Sequence, residues 1–147
     1  MEETIVFTSG RPEITSAVTR GAARLATALG WAPLLEVVLP NGRRADIMAL
    51  SARGRVAIVE VKSGIEDFRA DRKWGDYLAF CDAFYFAVAP EFPQAILPLE
   101  PGLIVADAFG GAIAREGPES SLAPARRKAL TLAFARLAAM RALSAEA

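Results

Sequence analysis

Three residues in this chain have the types and spacing for phosphodiester chemistry: Asp46, Glu60 and Lys62. Asp46 lies in Arg43-Arg44-Ala45-Asp46-Ile47-Met48-Ala49-Leu50. Glu60 and Lys62 close the run Arg55-Val56-Ala57-Ile58-Val59-Glu60-Val61-Lys62. Both runs read as strands, because β-branched and apolar residues dominate them. A carboxylate inside Val59-Glu60-Val61 is costly to bury without a partner, since it loses its hydration. A divalent metal offsets that cost and turns two neighbouring carboxylates into ligands. A lysine on the same face as the second acid supplies a fixed positive charge for a phosphate or its attacking water. Such a set hydrolyses phosphodiesters without histidine.

Register decides whether the two acids meet. A three-residue loop, Ala52-Arg53-Gly54, pairs Ser51 with Arg55. It then sets Leu50 opposite Val56, Met48 opposite Ile58, Asp46 opposite Glu60 and Arg44 opposite Lys62. Opposed side chains share a face at roughly 5 Å. An even loop sends Asp46 and Glu60 to opposite faces. A competing reading makes Arg44, Asp46, Glu60 and Lys62 a cross-strand cluster of salt bridges.

The elements that must position this set are legible in the apolar spacing. Ile14, Val18, Ala22, Leu25 and Leu29 predict a helix over 12–29, with Pro12 in its first turn and Gly30 at its end. Leu34–Leu39 reads as a strand closed by the turn Pro40-Asn41-Gly42. After the hairpin, residues 66–81 read as a helix, Ala83–Val88 as a strand, and 90–101 as loop with one short helical turn. Leu103–Ala106 and Ala112–Arg115 read as strands joined around Gly110-Gly111. Residues 125–143 read as a closing helix, with Leu130, Phe134, Leu137 and Met140 as its buried stripe. The order predicts one α/β domain over residues 1–147, a mixed sheet flanked by helices.

Composition removes the commoner chemistries. The chain has 147 residues, no histidine and one cysteine. Ser-His-Asp and Cys-His catalysis, His-ligated zinc and cysteine zinc cages are therefore excluded. Cys81 reads as a small core residue. No uncharged stretch approaches the ~18 residues of a membrane span, and the N-terminus lacks a basic signal-peptide region. The expected setting is a reducing cytoplasm, away from membranes. The 17 basic and 17 acidic residues cancel, but they are segregated. Residues 126–146 hold five basic residues and one acidic, so a cationic surface coexists with an acidic remainder.

Arg126-Arg127-Lys128 stand in the first turn of the closing helix, against its dipole. Phosphate contact is one reason for cations there, and an acidic partner surface is another. Lys73 and Tyr77, four apart on the predicted helix, share a face and could reach a phosphate, with Trp74 as a stacking surface. Solvated charge at 69–73 and core packing of Trp74, Tyr77 and Phe80 are the plain alternatives.

Ala45-Asp46 followed by Glu60-Val61-Lys62 on consecutive strands resembles the PD-(D/E)XK nuclease superfamily. More narrowly, the chain resembles the MmcB-like bacterial DNA repair proteins. The resemblance is carried by residues 42–46, 59–63, 67–74, Tyr77, 80–82, 102–108 and 122–131, most of the chain from Gly42 onward. It implies a restriction-endonuclease-like fold, Mg²⁺ or Mn²⁺ as cofactor, DNA as partner and a role in repair. Asp46 and Glu60 match the metal-binding acids, the Val61 carbonyl a further ligand, and Lys62 the catalytic lysine. Ala45 stands where many members have proline. Glu13 or Glu36 matches the extra acid that some members use. Lys73 and Tyr77 match a Gln-x-x-x-Tyr helix, with lysine in place of glutamine; Arg44 joins them and the basic triad as expected DNA contacts. The expected function is a metal-dependent DNA nuclease or nuclease-like repair protein. A catalytically silent DNA-binding module and a protein-interaction domain are the alternatives. Homodimerisation and a repair-protein partner stay open.

Overall fold

The computed structural model describes residues 10–70 and 74–146. Helix α1 spans Arg11–Ala28 and opens with Pro12, whose missing N–H has no helical partner to lose at that position. Val18, Ala22 and Ala26 form its buried row. It ends where Gly30 takes φ +85° and Trp31 N–H returns to the Ala26 carbonyl.

Six strands follow: β1 (Ala32–Val38), β2 (Arg44–Leu50), β3 (Val56–Val61), β4 (Ala83–Val88), β5 (Gly102–Asp107) and β6 (Gly110–Arg115). Between β3 and β4 lie α2 (Ile65–Ala70) and a 3-10 segment, Trp74–Phe80; the long helix α3 spans Pro124–Glu146. The strands form one sheet in sequence order. β3–β4 and β4–β5 pair parallel and the other neighbours antiparallel, so the sheet is mixed, as predicted. The loop between β4 and β5 carries one short 3-10 turn, Gln94–Ile96.

The hairpin register follows the odd loop. Leu50 pairs with Val56 and Met48 with Ile58, and Ser51 N–H donates to the Arg55 carbonyl. Gly54 at φ +84° supplies the left-handed turn residue. The helix predicted over 66–81 is corrected. Among the described residues it is α-helical over Ile65–Ala70 and 3-10 over Trp74–Phe80. Core demand explains the tighter segment: it turns Tyr77 and Phe80 inward and seats Trp74 and Tyr77 against Phe84, with ring centroids 5.7 and 5.6 Å apart.

Two cores sit on the two faces of the sheet. One joins Met48, Ile58, Phe84, Phe86, Tyr77, Phe80, Leu130 and Phe134, beneath the 3-10 segment and α3. The other joins Ile47, Val59, Val61, Tyr85 and Ile104 beneath α1. All six residues of β4 are buried, as expected of a central strand covered on both faces. α1 approaches the β5–β6 turn so closely that a Cβ on Gly21 would lie 1.9 Å from the Asp107 carbonyl oxygen. Among the described residues no helix is long and apolar enough to cross a membrane.

Candidate functional site

Glu36 and Asp46 mark an irregularity in the β1–β2 pair. Leu35 pairs with Ile47 and Val37 with Ala45, yet Glu36 takes φ +52°. On a regular strand, residues two apart share a face. Here Leu34 and Val37 both pack on the α3-side core, as do Met48 and Ala45. The two strands therefore turn over together at Glu36 and Asp46. The turn brings the Asp46 side chain into a cleft beside α1, which it lines with Glu36, Glu60, Val61, Lys62 and Asp67. The cleft encloses about 1590 Å³.

Asp46 and Glu60 are half-buried and side by side. They lie beyond the last hairpin pair, Ile47 with Val59, and are held by side-chain-to-backbone bonds. Val61 N–H donates to Asp46 Oδ2 at 2.8 Å, and Asp46 N–H to Glu60 Oε1 at 3.4 Å. The Tyr77 hydroxyl donates toward Glu60 Oε2 at 3.0 Å and the Arg44 carbonyl at 3.1 Å. Lys62 is buried and fixed through its N–H to the Ala87 carbonyl. Its Nζ lies 4.0 Å from Asp67 Oδ1.

Neither Asp46 nor Glu60 has an ion-pair partner within 4.0 Å among the described residues. This geometry opposes the salt-bridge-cluster reading. The electrostatics express the same crowding. Burial, then the Asp46 charge and the hydrogen bond shared with it, push the Glu60 carboxyl up to about 8. Burial also raises Asp46, against the pull of Val61 N–H, Glu60 and Lys62. The pair thus holds a proton where two exposed carboxylates would hold none.

A pH dependence follows. Glu60 has a raised folded-state pKa, so its contribution is full below about 4.5, its ordinary value, and is lost as pH rises through about 8. Melted in EDTA, the protein is expected to lose stability over that window, by at most about 1.4 kcal/mol per pH unit for one proton. Glu60→Gln should flatten the profile. A wild-type melting point that climbs steadily from pH 5 to pH 8 would contradict the shared proton.

The structure separates the other expected site residues. Glu36 lines the cleft, whereas exposed Glu13 does not. Among the described residues no three acidic, histidine or cysteine side chains converge as metal ligands, so neither Glu13 nor Glu36 completes a triad. Lys73 lies outside the described residues. Tyr77 as a DNA contact is corrected: it is buried, and its hydroxyl is engaged by Glu60 and Arg44. Trp74 likewise packs on Phe84 and Phe86.

The triad at the start of α3 is also corrected in part. Arg127 donates to both oxygens of buried Asp82, at 2.7 and 2.8 Å, and to the Gly54 carbonyl. Asp82 further accepts from Val56 N–H and Leu122 N–H. Val56 begins β3 whereas Glu60 and Lys62 stand at its other end, so this lock is remote from the cleft. Arg126 lies over the Phe80 ring and donates to the Ala79 carbonyl. Arg44 and Lys128 are exposed.

Sequence reasoning missed the α1 wall of the cleft. Thr15, Thr19 and Ala23 line it half-buried, and Ser16, Arg20 and Arg24 line it exposed. The signal was available as polar residues four apart beside the apolar stripe.

Comparison with known proteins bears on the family and the fold. A family model described as DNA repair protein MmcB-like matches residues 3–147. Among solved structures, the SPO1766 protein of unknown function from Silicibacter pomeroyi is 43% identical and superposes with a TM-score of 0.88. The match covers 90% of this chain and 91% of that one. No curated protein matches the chain.

Proposed function

Because the chain belongs to the MmcB-like family of DNA repair proteins, we propose that it cleaves DNA in a Mg²⁺- or Mn²⁺-dependent reaction centred on Asp46, Glu60 and Lys62. The observation that carries this reading is the carboxylate pair. Two half-buried acids share one cleft, with no basic side chain at ion-pair distance among the described residues. We read the fold accordingly as restriction-endonuclease-like, with the acids on a hairpin that leads into the parallel strands.

The donor set suits a hard cation. Asp46 and Glu60 offer carboxylate oxygens and Val61 its carbonyl. Mg²⁺ characteristically takes one or two protein carboxylates and keeps several waters, so a third acid is unnecessary. A bound ion would neutralise the pair and polarise a phosphoryl oxygen. The protein's own groups supply orientation. Val61 N–H fixes Asp46, and the Tyr77 hydroxyl fixes Glu60. Lys62 presents its ammonium to the negative charge that grows on the phosphate as water attacks and the sugar oxygen leaves. Its main-chain bond to Ala87 and its pairing with Asp67 hold the stem in place.

Thermal melts test the pair. A ligand at 100 times its Kd, binding only the folded state, stabilises by about 2.7 kcal/mol. Wild type should therefore melt higher in millimolar Mg²⁺ or Mn²⁺ than in EDTA. Asp46→Asn should abolish that rise. In EDTA above about pH 8, where both carboxyls are ionised, it should leave the melt unchanged or higher, by up to about 1 kcal/mol, because it removes one of two repelling charges. A destabilised Asp46→Asn that still responds to metal would end the metal-site reading. A wild type that binds DNA but shows neither a metal response nor cleavage would be a DNA-binding module instead.

A further inference from the structure

The cleft is acidic for a surface that must receive DNA. Its lining holds Glu36, Asp46, Glu60 and Asp67 against Arg20, Arg24 and Lys62. Lys62 is paired with Asp67. Arg20 and Arg24 have no ion-pair or hydrogen-bond partner among the described residues. Both are exposed on α1, four residues apart, in one row with Ser16. At 1.5 Å per residue, the arginines stand about 6 Å apart along the helix. Successive phosphates of one strand advance about 3.4 Å along the duplex axis, so two cations this far apart can engage the backbone of a single strand. The Thr19 and Thr27 hydroxyls are turned into the helix, bonding the Thr15 and Ala23 carbonyls. The cationic triad on α3 is unsuited to this task, since Arg127 is spent on Asp82 at the far end of β3.

We propose that the Ser16–Arg20–Arg24 row of α1 is the phosphate-backbone seat that lays a DNA strand along the cleft, across Asp46, Glu60 and Lys62. The inference rests on the DNA-cleaving reading above and adds the binding surface. Arginine suits the role, because its planar fork pairs with phosphate oxygens in a bidentate way. The row contacts backbone alone, so it predicts affinity without sequence preference.

The test measures DNA binding by fluorescence anisotropy against salt, in Ca²⁺, with labelled single-stranded and duplex oligonucleotides. Each phosphate neutralised contributes a slope of about −0.9 on duplex and about −0.7 on single strands in log affinity against log salt. Arg20→Gln/Arg24→Gln should flatten the wild-type slope by one to two contacts, on whichever DNA form binds. Arg20→Lys/Arg24→Lys should recover most of it. Arg126→Gln/Lys128→Gln should leave it unchanged. Both arginines are exposed, so folding should survive, and the Mg²⁺-induced melting rise checks that the carboxylate pair is intact. An unchanged slope in the α1 double variant, with wild type binding DNA, overturns the α1 seat and spares the nuclease reading. A flattened slope in the α3 variant alone also overturns it. Wild type that binds neither DNA form overturns both.

Discussion

Lys62→Ala is expected to cut DNA cleavage in Mg²⁺ or Mn²⁺ by about 10² to 10³-fold, the scale for removing one preorganised stabiliser of transition-state charge. Glu60→Gln is expected to remove cleavage altogether. The two losses should differ in kind. Glu60 shares its site with Asp46, so Glu60→Gln should also erase the melting rise that metal produces. Lys62 is not a ligand in this scheme, so Lys62→Ala should keep that rise and lose turnover alone. Its ammonium touches Asp67, which is part-exposed and tolerates the loss in water. The experiment is cleavage of a panel of single-stranded, duplex and branched DNA, beside melts of the same preparations. Cleavage undiminished in Glu60→Gln would sink the assignment. Cleavage undiminished in Lys62→Ala would leave the lysine a structural partner of Asp67.

Asp82→Asn is expected to cost about 3–5 kcal/mol, the scale for breaking a buried charge pair. Asp82 is 2% exposed and accepts from Arg127, Val56 and Leu122, tying α3 and the preceding loop to the start of β3. Burial alone would raise its pKa. The hydrogen bonds from Arg127, Val56 and Leu122 win, and they hold the carboxyl well below the usual range. Its folded-state pKa is depressed, so its contribution is full above the unfolded value of about 3.9, begins to fall below it, and is gone only once pH passes the depressed folded value. Urea unfolding at pH 7 and pH 3 should therefore show a large difference between wild type and Asp82→Asn at pH 7 and a narrower one at pH 3, where the folded carboxyl is still ionised. The metal-induced melting rise should persist in the variant, because the cleft lies at the other end of β3. A variant within about 1 kcal/mol of wild type at pH 7 would show that α3 is held mainly by Leu130 and Phe134.

The sequence by itself determined most of the elements and narrowed the hairpin register to an odd or an even loop. Apolar spacing placed α1 and α3, and β-branched runs placed the strands. The odd loop, one of the two that Ser51-Ala52-Arg53-Gly54 allowed, is the one the fold takes, with Met48 opposite Ile58. These are local properties, set by side-chain period and turn chemistry within about a dozen residues. The same local evidence named Asp46, Glu60 and Lys62, because an acid inside an apolar strand is anomalous without any knowledge of its neighbours. Tertiary structure decided the rest. The aromatic core on Phe84 drew Tyr77 and Trp74 inward and wound residues 74–80 as a 3-10 segment. Burial of Asp82 claimed Arg127, which sequence alone left as a free cation beside its neighbours. The turn-over at Glu36 sent Asp46 toward α1 and so made Arg20 and Arg24 part of the cleft wall. Each outcome depends on which face packs against which. That choice is made by contacts between residues far apart in the chain, so a local pattern such as the polar row of α1 marks a face without saying what it packs against.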